Sequence, residues 1–302
     1  MLKVNNISKY FYIKKKIWKK FWIFPKYKKE KFEALKNINF QIKQWEKVAF
    51  IGPNGAWKST TIKCILGILH YDEWNISLFW LNPKKDREKI AQNVASVFGQ
   101  RSQLMYHLPL KDSFDFLKIV YNIEDKQYKK RLDFLVNKFQ IQDFLNQPVR
   151  KLSLWQRMKW EIIAALLHSP KAIFLDEPTV WLDIVAKKTM YEVLLQIHKE
   201  ENITIFLTSH DIRDIQALCD RTIIINKWEL LFDGKLTNLF KNYANSKIIK
   251  YKYMQDINWK IKEVENTPEI LEKEIKNIIE WGKLEDMTIE DIPLEEIIEK
   301  FY

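Results

Sequence analysis

The chain alternates between stretches with strand periodicity and stretches with helical periodicity. Residues 1–12 and 33–51 alternate polar and apolar side chains, as strands with one buried face do. Strands are predicted from apolar runs at residues 48–51 and 172–175, the first of them continuous as in a strand covered on both faces, and a further strand is predicted at residues 203–207. Amphipathic helices are predicted after these runs, from apolar residues at helical spacing: Ile62, Ile65, Leu66 and Leu69; Met190, Val193, Leu194 and Ile197; Ile212, Ile215 and Leu218. This alternation predicts a mostly parallel sheet.

Two regions depart from the alternation. From about residue 110 to residue 168 the periodicity is helical, which predicts a helical insertion within a main domain of residues 1–240. From residue 246 to residue 302 we expect a small, separate α+β domain with a strand around Tyr251. Helices are predicted there at residues 268–279 and 294–301, and no chemistry is predicted for this domain.

The turn after residues 48–51 has the frame of a phosphate-binding P-loop. In such loops, backbone N–H groups surround phosphate oxygens, a lysine reaches the β- and γ-phosphates, and a serine holds Mg²⁺. Lys58 and Ser59 are the lysine and serine here, and the following helix points its positive end at the anion. The candidate nucleotide-binding residues are Gly52, Pro53, Asn54, Gly55, Ala56, Trp57, Lys58, Ser59 and Thr60. Trp57 departs from the frame, which requires glycine because the backbone there approaches phosphate closely.

Three polar residues follow the predicted strands at residues 172–175 and 203–207. Asp176 and Glu177 come directly after residues 172–175, and His210 follows residues 203–207. The carboxyl ends of parallel strands meet at the crevice where such sheets bind ligands. A lone histidine is more often a core residue, but this position favours a functional one.

With these motifs in this order, and with Leu152-Ser153-Leu154-Trp155-Gln156 between them, the chain resembles an ATP-binding cassette (ABC) ATPase over residues 1 to about 240. The resemblance implies an α/β fold, namely a P-loop NTPase ABC-type nucleotide-binding domain with an antiparallel β subdomain and a helical insertion. Residues 97–104 and 152–158 are similar to the branch that serves multidrug, viologen or related exporters with separate permease chains. The implied function is ATP hydrolysis that drives transport, on the cytoplasmic face of the membrane.

The resemblance also implies roles for single residues at the ATP phosphates. Asp176 is expected to hold Mg²⁺ together with Ser59, and Glu177 to polarise the attacking water as general base. Gln100 is expected to link Mg²⁺ and that water to the helical insertion and the permease. His210 is expected to contact the γ-phosphate.

Further roles concern the base and a second subunit. Ser153, Trp155 and Gln156 are expected to act on the ATP of a second ATPase subunit, so a head-to-tail dimer is implied. Asp183 belongs to the loop between the two sites. Phe11 most resembles the aromatic residue that stacks on adenine; Tyr10 or Tyr12 could serve instead, and plain core packing is about as compatible with the pattern.

The net charge of +11 is concentrated near the N-terminus, where residues 13–31 contain nine lysines and one glutamate. Such a run usually forms a solvated surface arm. The alternatives are contact with acidic lipid headgroups or a membrane partner and, more remotely, nucleic acid, against which the resemblance argues. Cys64 and Cys219 have no metal-ligand neighbours and are expected to be buried thiols, and no apolar run is long enough for a membrane span, which predicts a soluble, cytoplasmic chain.

Glycine and tryptophan have abnormal counts. The chain has 6 glycines and 12 tryptophans, whereas average usage predicts about 21 glycines. Seven tryptophans occupy positions where the family has glycine: Trp45, Trp57, Trp74, Trp80, Trp155, Trp181 and Trp228. We therefore hypothesise that UGA codons read as glycine in the source organism were translated as tryptophan. If the tryptophans are real, we expect the indole at position 57 to block phosphate and the chain to be a non-hydrolysing ATP-binding or interaction module.

Overall fold

The computed structural model describes residues 1–17, 26–53, 55–99, 102–180, 182–226, 229–243, 246–254, 258–291 and 296–297. The chain divides into two compact units, Met1–Asp233 and Gly234–Tyr302. Among the described residues, none of the helices has the length and apolar character needed to cross a membrane.

A mixed sheet forms the centre of the first unit, in the order β5-β6-β7-β3-β8-β9. Its strands are β3 (Lys47–Ile51), β5 (Val94–Phe98), β6 (Ala172–Asp176), β7 (Thr204–Thr208), β8 (Arg221–Asn226) and β9 (Glu229–Lys235). Each of the pairs β5/β6, β6/β7, β7/β3 and β3/β8 is parallel. Every residue of β6 and β7 is buried, as continuous apolar runs require.

An antiparallel sheet in the order β2-β1-β4 packs against this core. Its strands are β1 (Leu2–Ile17), β2 (Lys26–Ile42) and β4 (Glu73–Leu78). Apolar side chains on one face of β1 and β2, such as Val4 and Ile38, join Phe50 and Phe206 in one cluster. Both long strands extend into residues 13–31, so the described part of the basic stretch is a β-ribbon continuous with this sheet, and its residues 13–15 and 28–31 are exposed.

The segment with helical periodicity contains α3 (Leu110–Val120), α4 (Asp125–Phe139) and α5 (Leu154–Leu166), with short 3-10 turns at Gln142–Phe144 and Val149–Lys151. The face predicted from Leu132, Leu135 and Phe139 is buried. Trp160 is also fully buried, and its ring lies 5.3 Å from that of Phe114. Its indole Nε1 has no hydrogen-bond partner among the described residues, which is unusual for a buried tryptophan.

The remaining helices of the first unit are α1 (Lys58–Ile65), α2 (Arg87–Ala91), α6 (Ile184–Glu201) and α7 (Ile212–Leu218). Helix α6 connects the parallel strands β6 and β7, and α7 connects β7 to β8, whereas α1 and α2 flank β4 of the antiparallel sheet. Because α1 follows β3 directly and α6 and α7 follow β6 and β7, the carboxyl ends of three strands and the start of α1 lie together.

The second unit has its own sheet in the order β11-β10-β12. It contains α8 (Leu236–Tyr243), β10 (Ser246–Tyr253), β11 (Lys260–Glu265), α9 (Pro268–Glu280) and β12 (Leu284–Asp291). Ile249, Tyr253, Val264 and Ile278 form its core. The sequence did not predict β11 and β12, because their charged residues hide the alternation; of the helix predicted at 294–301, only residues 296–297 are described.

Candidate functional site

The loop between β3 and α1 has a backbone that depends on glycine. A Cβ atom on Gly52 would lie 2.6 Å from the Ile225 carbonyl oxygen, and Gly55 has a φ of +85°. A side chain at position 52 would therefore clash with this carbonyl, and the backbone at position 55 favours glycine. Residues 58–60 at the start of α1 line a cleft, and the N-terminus of a helix is an arrangement that binds phosphate. Asn54, predicted to be part of this loop, lies outside the described residues.

Lys58 is the buried cation of this loop. Its ammonium donates to the Gly52 carbonyl at 2.6 Å and to the Pro53 carbonyl at 3.3 Å, and it lies 4.0 Å from Glu177 Oε1. Burial lowers the pKa of Lys58, and the carboxylates of Glu177 and Asp176 partly oppose that shift. The lysine is held by weak acceptors that phosphate oxygens can replace.

Trp57 lies at the N-cap of α1 with φ 60° and ψ 27°, the left-handed conformation. Its ring centroid is 5.8 Å from that of Phe11, at an interplanar angle of 28°, and 5.5 Å from that of Phe32. Trp57 also lines the cleft beside Lys58 and Ser59, so the expectation that the indole obstructs phosphate stays a prediction. The ring covers Phe11, the residue predicted to stack on adenine, because the left-handed backbone turns the side chain toward β1 and β2.

Asp176 and Thr208 end neighbouring parallel strands and are paired in register. Asp176 is buried, and its Oδ1 accepts a hydrogen bond from Thr208 Oγ1 at 2.7 Å. This bond fixes the orientation of the carboxylate. Sequence reasoning did not single out Thr208; the signal would have been its equivalent position at the end of a strand, which has meaning only once the strand order is known.

Glu177 has a strained backbone, with φ 52°. Its N–H donates to the Thr208 carbonyl at 3.1 Å, and its Oε2 accepts from His210 Nδ1 at 2.7 Å. A non-glycine residue in this conformation persists only where its surroundings hold it, and such residues cluster at functional sites. Gly99 permits the arrangement, since a Cβ there would lie 2.2 Å from the Glu177 carbonyl oxygen.

These residues enclose two adjoining clefts. One is lined by Gly55, Trp57, Lys58, Ser59, Thr60, Glu177, Val180 and His210. The other is lined by Ser59, Lys63, Ile68, Phe98, Gly99, Asp176 and Glu177. Ser59 and Glu177 line both, so the loop and the carboxylates face a common space.

The donor set at this junction fits a magnesium ion. Ser59 offers a hydroxyl and Asp176 a carboxylate, which are the hard oxygen donors that Mg²⁺ prefers. Within the described residues, no group of three or more His, Cys, Asp or Glu side chains could hold a metal by itself. Gln100, predicted as a further ligand, lies outside the described residues.

Ser153 and Gln156 are not brought to this cleft. Ser153 is the N-cap of α5, and the two residues form a capping box: Gln156 N–H donates to Ser153 Oγ at 3.1 Å, and Ser153 N–H to Gln156 Oε1 at 2.9 Å. Trp155 lies beside them, with Lys159 Nζ 4.7 Å from its ring centroid. Asp183 caps α6 by accepting from Ala186 N–H at 2.7 Å. All four predicted residues thus have local roles, and their predicted action on a second subunit stays a prediction.

Sequence reasoning also missed a buried carboxylate that is hydrogen-bonded to Ser209, the residue before His210. Asp214 is completely buried and accepts hydrogen bonds from Thr179, Tyr191 and Ser209, with Lys187 Nζ at 3.1 Å. The network ties the loop after β6, helix α6 and the start of α7 together. The sequence did place Asp214 on the same helical face as the buried Ile215 and Leu218. A carboxylate at such a position must be hydrogen-bonded, and this could have indicated the network.

A second buried carboxylate connects α5 to the loop that follows β5. Glu161 accepts hydrogen bonds from Ser102 Oγ and from Gln103 N–H, the latter at 3.1 Å, and Gln103 Nε2 donates to its carbonyl at 3.0 Å. Burial raises the pKa of Glu161, and the bonds from Ser102 and Gln103 partly oppose that. Ser102 and Gln103 are thereby attached to α5.

Comparison with known proteins agrees with this geometry. Residues 35–180 match the family model described as ABC transporter. The zinc uptake system ATP-binding protein ZurA of Listeria innocua is 31% identical over 212 residues, which cover 69% of this chain and 82% of that protein. The linearmycin resistance ATP-binding protein LnrL of Bacillus subtilis is 30% identical over 216 residues, covering 72% and 69%.

The fold is shared with solved structures. A dimeric ATP-binding cassette in a post-hydrolysis state bound to ADP and Pi superposes with a TM-score of 0.65 at 24% identity, covering 78% of this chain and 99% of that one. The predicted α/β fold of the ABC-type nucleotide-binding domain is confirmed. Together with the relatives above, these matches show that the chain belongs to the ABC transporter family, as one of its ATP-binding ATPase subunits.

Proposed function

We propose that the chain binds and hydrolyses MgATP as the ATPase subunit of an exporter whose permease chains are separate. One observation carries this proposal: Lys58, the adjacent Asp176 and Glu177, and His210, which come from three separate parts of the chain, lie around one pair of joined clefts.

The geometry supports a distinct role for each residue. Lys58 would exchange its bonds to the Gly52 and Pro53 carbonyls for phosphate oxygens, which bind a cation more strongly. Ser59 and Asp176 would hold Mg²⁺, which neutralises phosphate charge when bound. Glu177 would accept a proton from the attacking water, and the hydrogen bond from His210 would hold it in place.

A second subunit would complete the site. Ser153 and Gln156 lie at the start of α5 and line neither cleft of their own chain. A head-to-tail dimer would place each pair against the ATP held by the partner subunit, with Asp183 between the two sites.

The helical insertion supports contact with a permease. Tyr106, Leu108, Phe116, Ile119 and Val120 expose between 45% and 76% of their surface in and just before α3. Exposed apolar residues in such number mark an interaction surface. Through it the chain would be peripheral on the inner face of the membrane.

The direction of transport is the finer part of the proposal. ZurA carries the name of an uptake system and LnrL that of a resistance protein, so the names of relatives point both ways. Export is supported by residues 97–104 and 152–158, which are similar to the multidrug and viologen branch. Transport of labelled substrates by vesicles that contain the chain and its permease would test the direction.

We propose in addition that glycine is the native residue at several tryptophan positions. Trp45, Trp57 and Trp80 have φ values of 66°, 60° and 68°, a conformation that costs side-chain-bearing residues about 1–2 kcal/mol each and glycine little. Trp74 and Trp155 lie within β4 and α5, and Trp181 and Trp228 lie outside the described residues. Mass spectrometry of the native protein tests this directly, since a tryptic peptide with tryptophan at position 57 or 155 would refute it.

The activity test compares two forms of the chain. With glycine at the seven positions we expect Mg²⁺-dependent phosphate release, and with tryptophan we expect weak nucleotide binding and little turnover. A glycine form that binds ATP but releases no phosphate, even with its permease, would instead support the non-hydrolysing module.

A further inference from the structure

The strands β1 and β2 continue beyond the sheet that contains them. Strand β4 pairs with β1 only from Leu2 to Ser8, and among the described residues no third strand pairs with the ribbon beyond that point. From Tyr10 paired with Glu33 to Lys15 paired with Lys28, the two strands form a two-stranded ribbon. Isolated ribbons of this kind are marginally stable in water.

The two faces of this ribbon differ. Side chains alternate between faces, and residues in register share a face. Phe11 and Phe32 are paired in register and contact Trp57, so their face lies toward the nucleotide loop. The opposite face carries Tyr12, Lys14, Lys29 and Lys31, all exposed, and the half-buried pair of Tyr10 and Glu33 at its end nearest the sheet.

Charge is arranged unfavourably along the ribbon. Lys14 is directly opposite Lys29, and Lys15 is directly opposite Lys28. Like charges in register destabilise a strand pair. The stretch of residues 13–31 has only one acidic residue, Glu30, whose carboxylate lies 3.5 Å from Lys15 Nζ. An anionic surface would relieve the repulsion on the opposite face.

We propose that the face formed by Tyr12, Lys14, Lys29 and Lys31, here called the basic face, binds anionic phospholipid headgroups. Lysine side chains near a membrane surface each contribute attraction to anionic lipids. Tyr12 is 65% exposed, and an exposed tyrosine with an apolar ring and a polar hydroxyl suits the headgroup layer. The inference rests on the proposed function in one respect: a permease partner places the chain beside a membrane.

The test measures binding of the full chain to vesicles of phosphatidylcholine alone and of phosphatidylcholine with 30% phosphatidylglycerol, a fraction at roughly the level where polybasic attraction operates. We expect sedimentation with the anionic vesicles only, weakening as salt is raised, because screening shortens electrostatic reach. The variant Lys14→Glu/Lys29→Glu should lower partitioning by about tenfold or more. Lys14→Gln/Lys29→Gln should lower it less.

The matched control is Lys129→Glu/Lys130→Glu in α4, which changes the net charge equally at two other exposed lysines. It should leave partitioning within about twofold, since those lysines are outside the basic face. An equal loss in the control, or equal binding to both vesicle types, would overturn the proposal. So would absence of vesicle binding together with salt-sensitive binding to duplex DNA that the Lys14→Glu/Lys29→Glu change removes, which would assign the face to nucleic acid.

ATP binding and phosphate release by the same preparations separate this proposal from the proposed function. A chain that binds anionic vesicles without hydrolysing ATP would contradict only the catalytic proposal. A chain that hydrolyses ATP without distinguishing the two vesicle types would contradict only the proposed lipid contact.

Discussion

The two halves of the nucleotide site differ in how completely one chain builds them. In the carboxylate half, at the ends of β6 and β7, Asp176 is fixed by Thr208, and Glu177 by Thr208 and His210. In the loop half, between β3 and α1, Lys58 binds the carbonyls of its own loop, and Trp57 occupies a left-handed backbone position.

The difference shows which contacts hold the residues of each half in place. The carboxylate half is fixed by bonds between side chains and strands that are present without ligand. The loop half consists largely of backbone N–H groups, whose partners are the phosphates themselves. A wrong side chain therefore affects the loop half most, and a lost hydroxyl or carboxylate affects the carboxylate half most.

The largest expected effect breaks the carboxylate half. In the glycine form, Glu177→Gln should lower phosphate release by about 10²- to 10⁴-fold, because the amide cannot accept the proton of the attacking water. ATP binding should persist, since Lys58 and the loop are unchanged. Single-turnover phosphate release and equilibrium nucleotide binding measure the two. Glu192→Gln, at an exposed position of α6, is the control, and loss of both properties in Glu177→Gln would mean that Glu177 is structural.

The next effect tests the preorganisation of that half. Thr208→Val removes the hydroxyl that donates to Asp176 at 2.7 Å and accepts from Glu177 N–H at 3.2 Å. Leaving such buried groups unpaired should lower the free energy of unfolding by about 1–3 kcal/mol, measured by denaturant titration. Thr208→Ser retains the hydroxyl and should recover most of the loss. Equal losses in both variants would point to packing of the Thr208 methyl group instead.

The residues of this site could be predicted from the sequence only in part. Lys58, Asp176, Glu177 and His210 could be predicted because each follows an apolar run at the same edge of a parallel sheet. Thr208 and Asp214 could not, because their partners are set by strand register and by packing between helices. Sequence periodicity predicts which residues share a face of one helix or strand. The contacts of Thr208 and Asp214 are made between different elements, so they depend on strand order and helix packing.

The loop half shows the opposite limit. Its frame was predicted from residues 52–59, but the direction of the Trp57 side chain was not, and the expectation that the indole blocks phosphate stays a prediction. The backbone of Trp57 is left-handed, with φ 60°, and its indole lies against Phe11 and Phe32. The ribbon of β1 and β2 was missed for a related reason, since a run of lysines carries no alternation of polar and apolar residues.

A third effect tests the loop half. Trp57→Gly should tighten ATP binding by about tenfold or more, equivalent to about 1.4 kcal/mol, because it uncovers Phe11 and relieves the backbone. Trp57→Ala removes the ring but keeps a Cβ at φ 60°, so its affinity should be intermediate. Isothermal titration with ATP separates the two contributions. Equal ATP affinity in the Trp57, Trp57→Gly and Trp57→Ala chains would mean that the tryptophan does not weaken the loop half of the site.

The smallest effect asks whether strain at tryptophan positions extends beyond the site. Trp80 follows β4 with φ 68° and is 86% exposed, so its side chain contributes little packing, apart from a contact with Lys3 at 5.7 Å. Trp80→Gly should raise the free energy of unfolding by about 1 kcal/mol, since glycine adopts this conformation without steric cost. Trp80→Ala loses the same ring but keeps the strained Cβ, and should not stabilise the chain. If alanine stabilised as much as glycine, removal of an exposed indole would be the cause, and backbone conformation would no longer favour glycine as the native residue there.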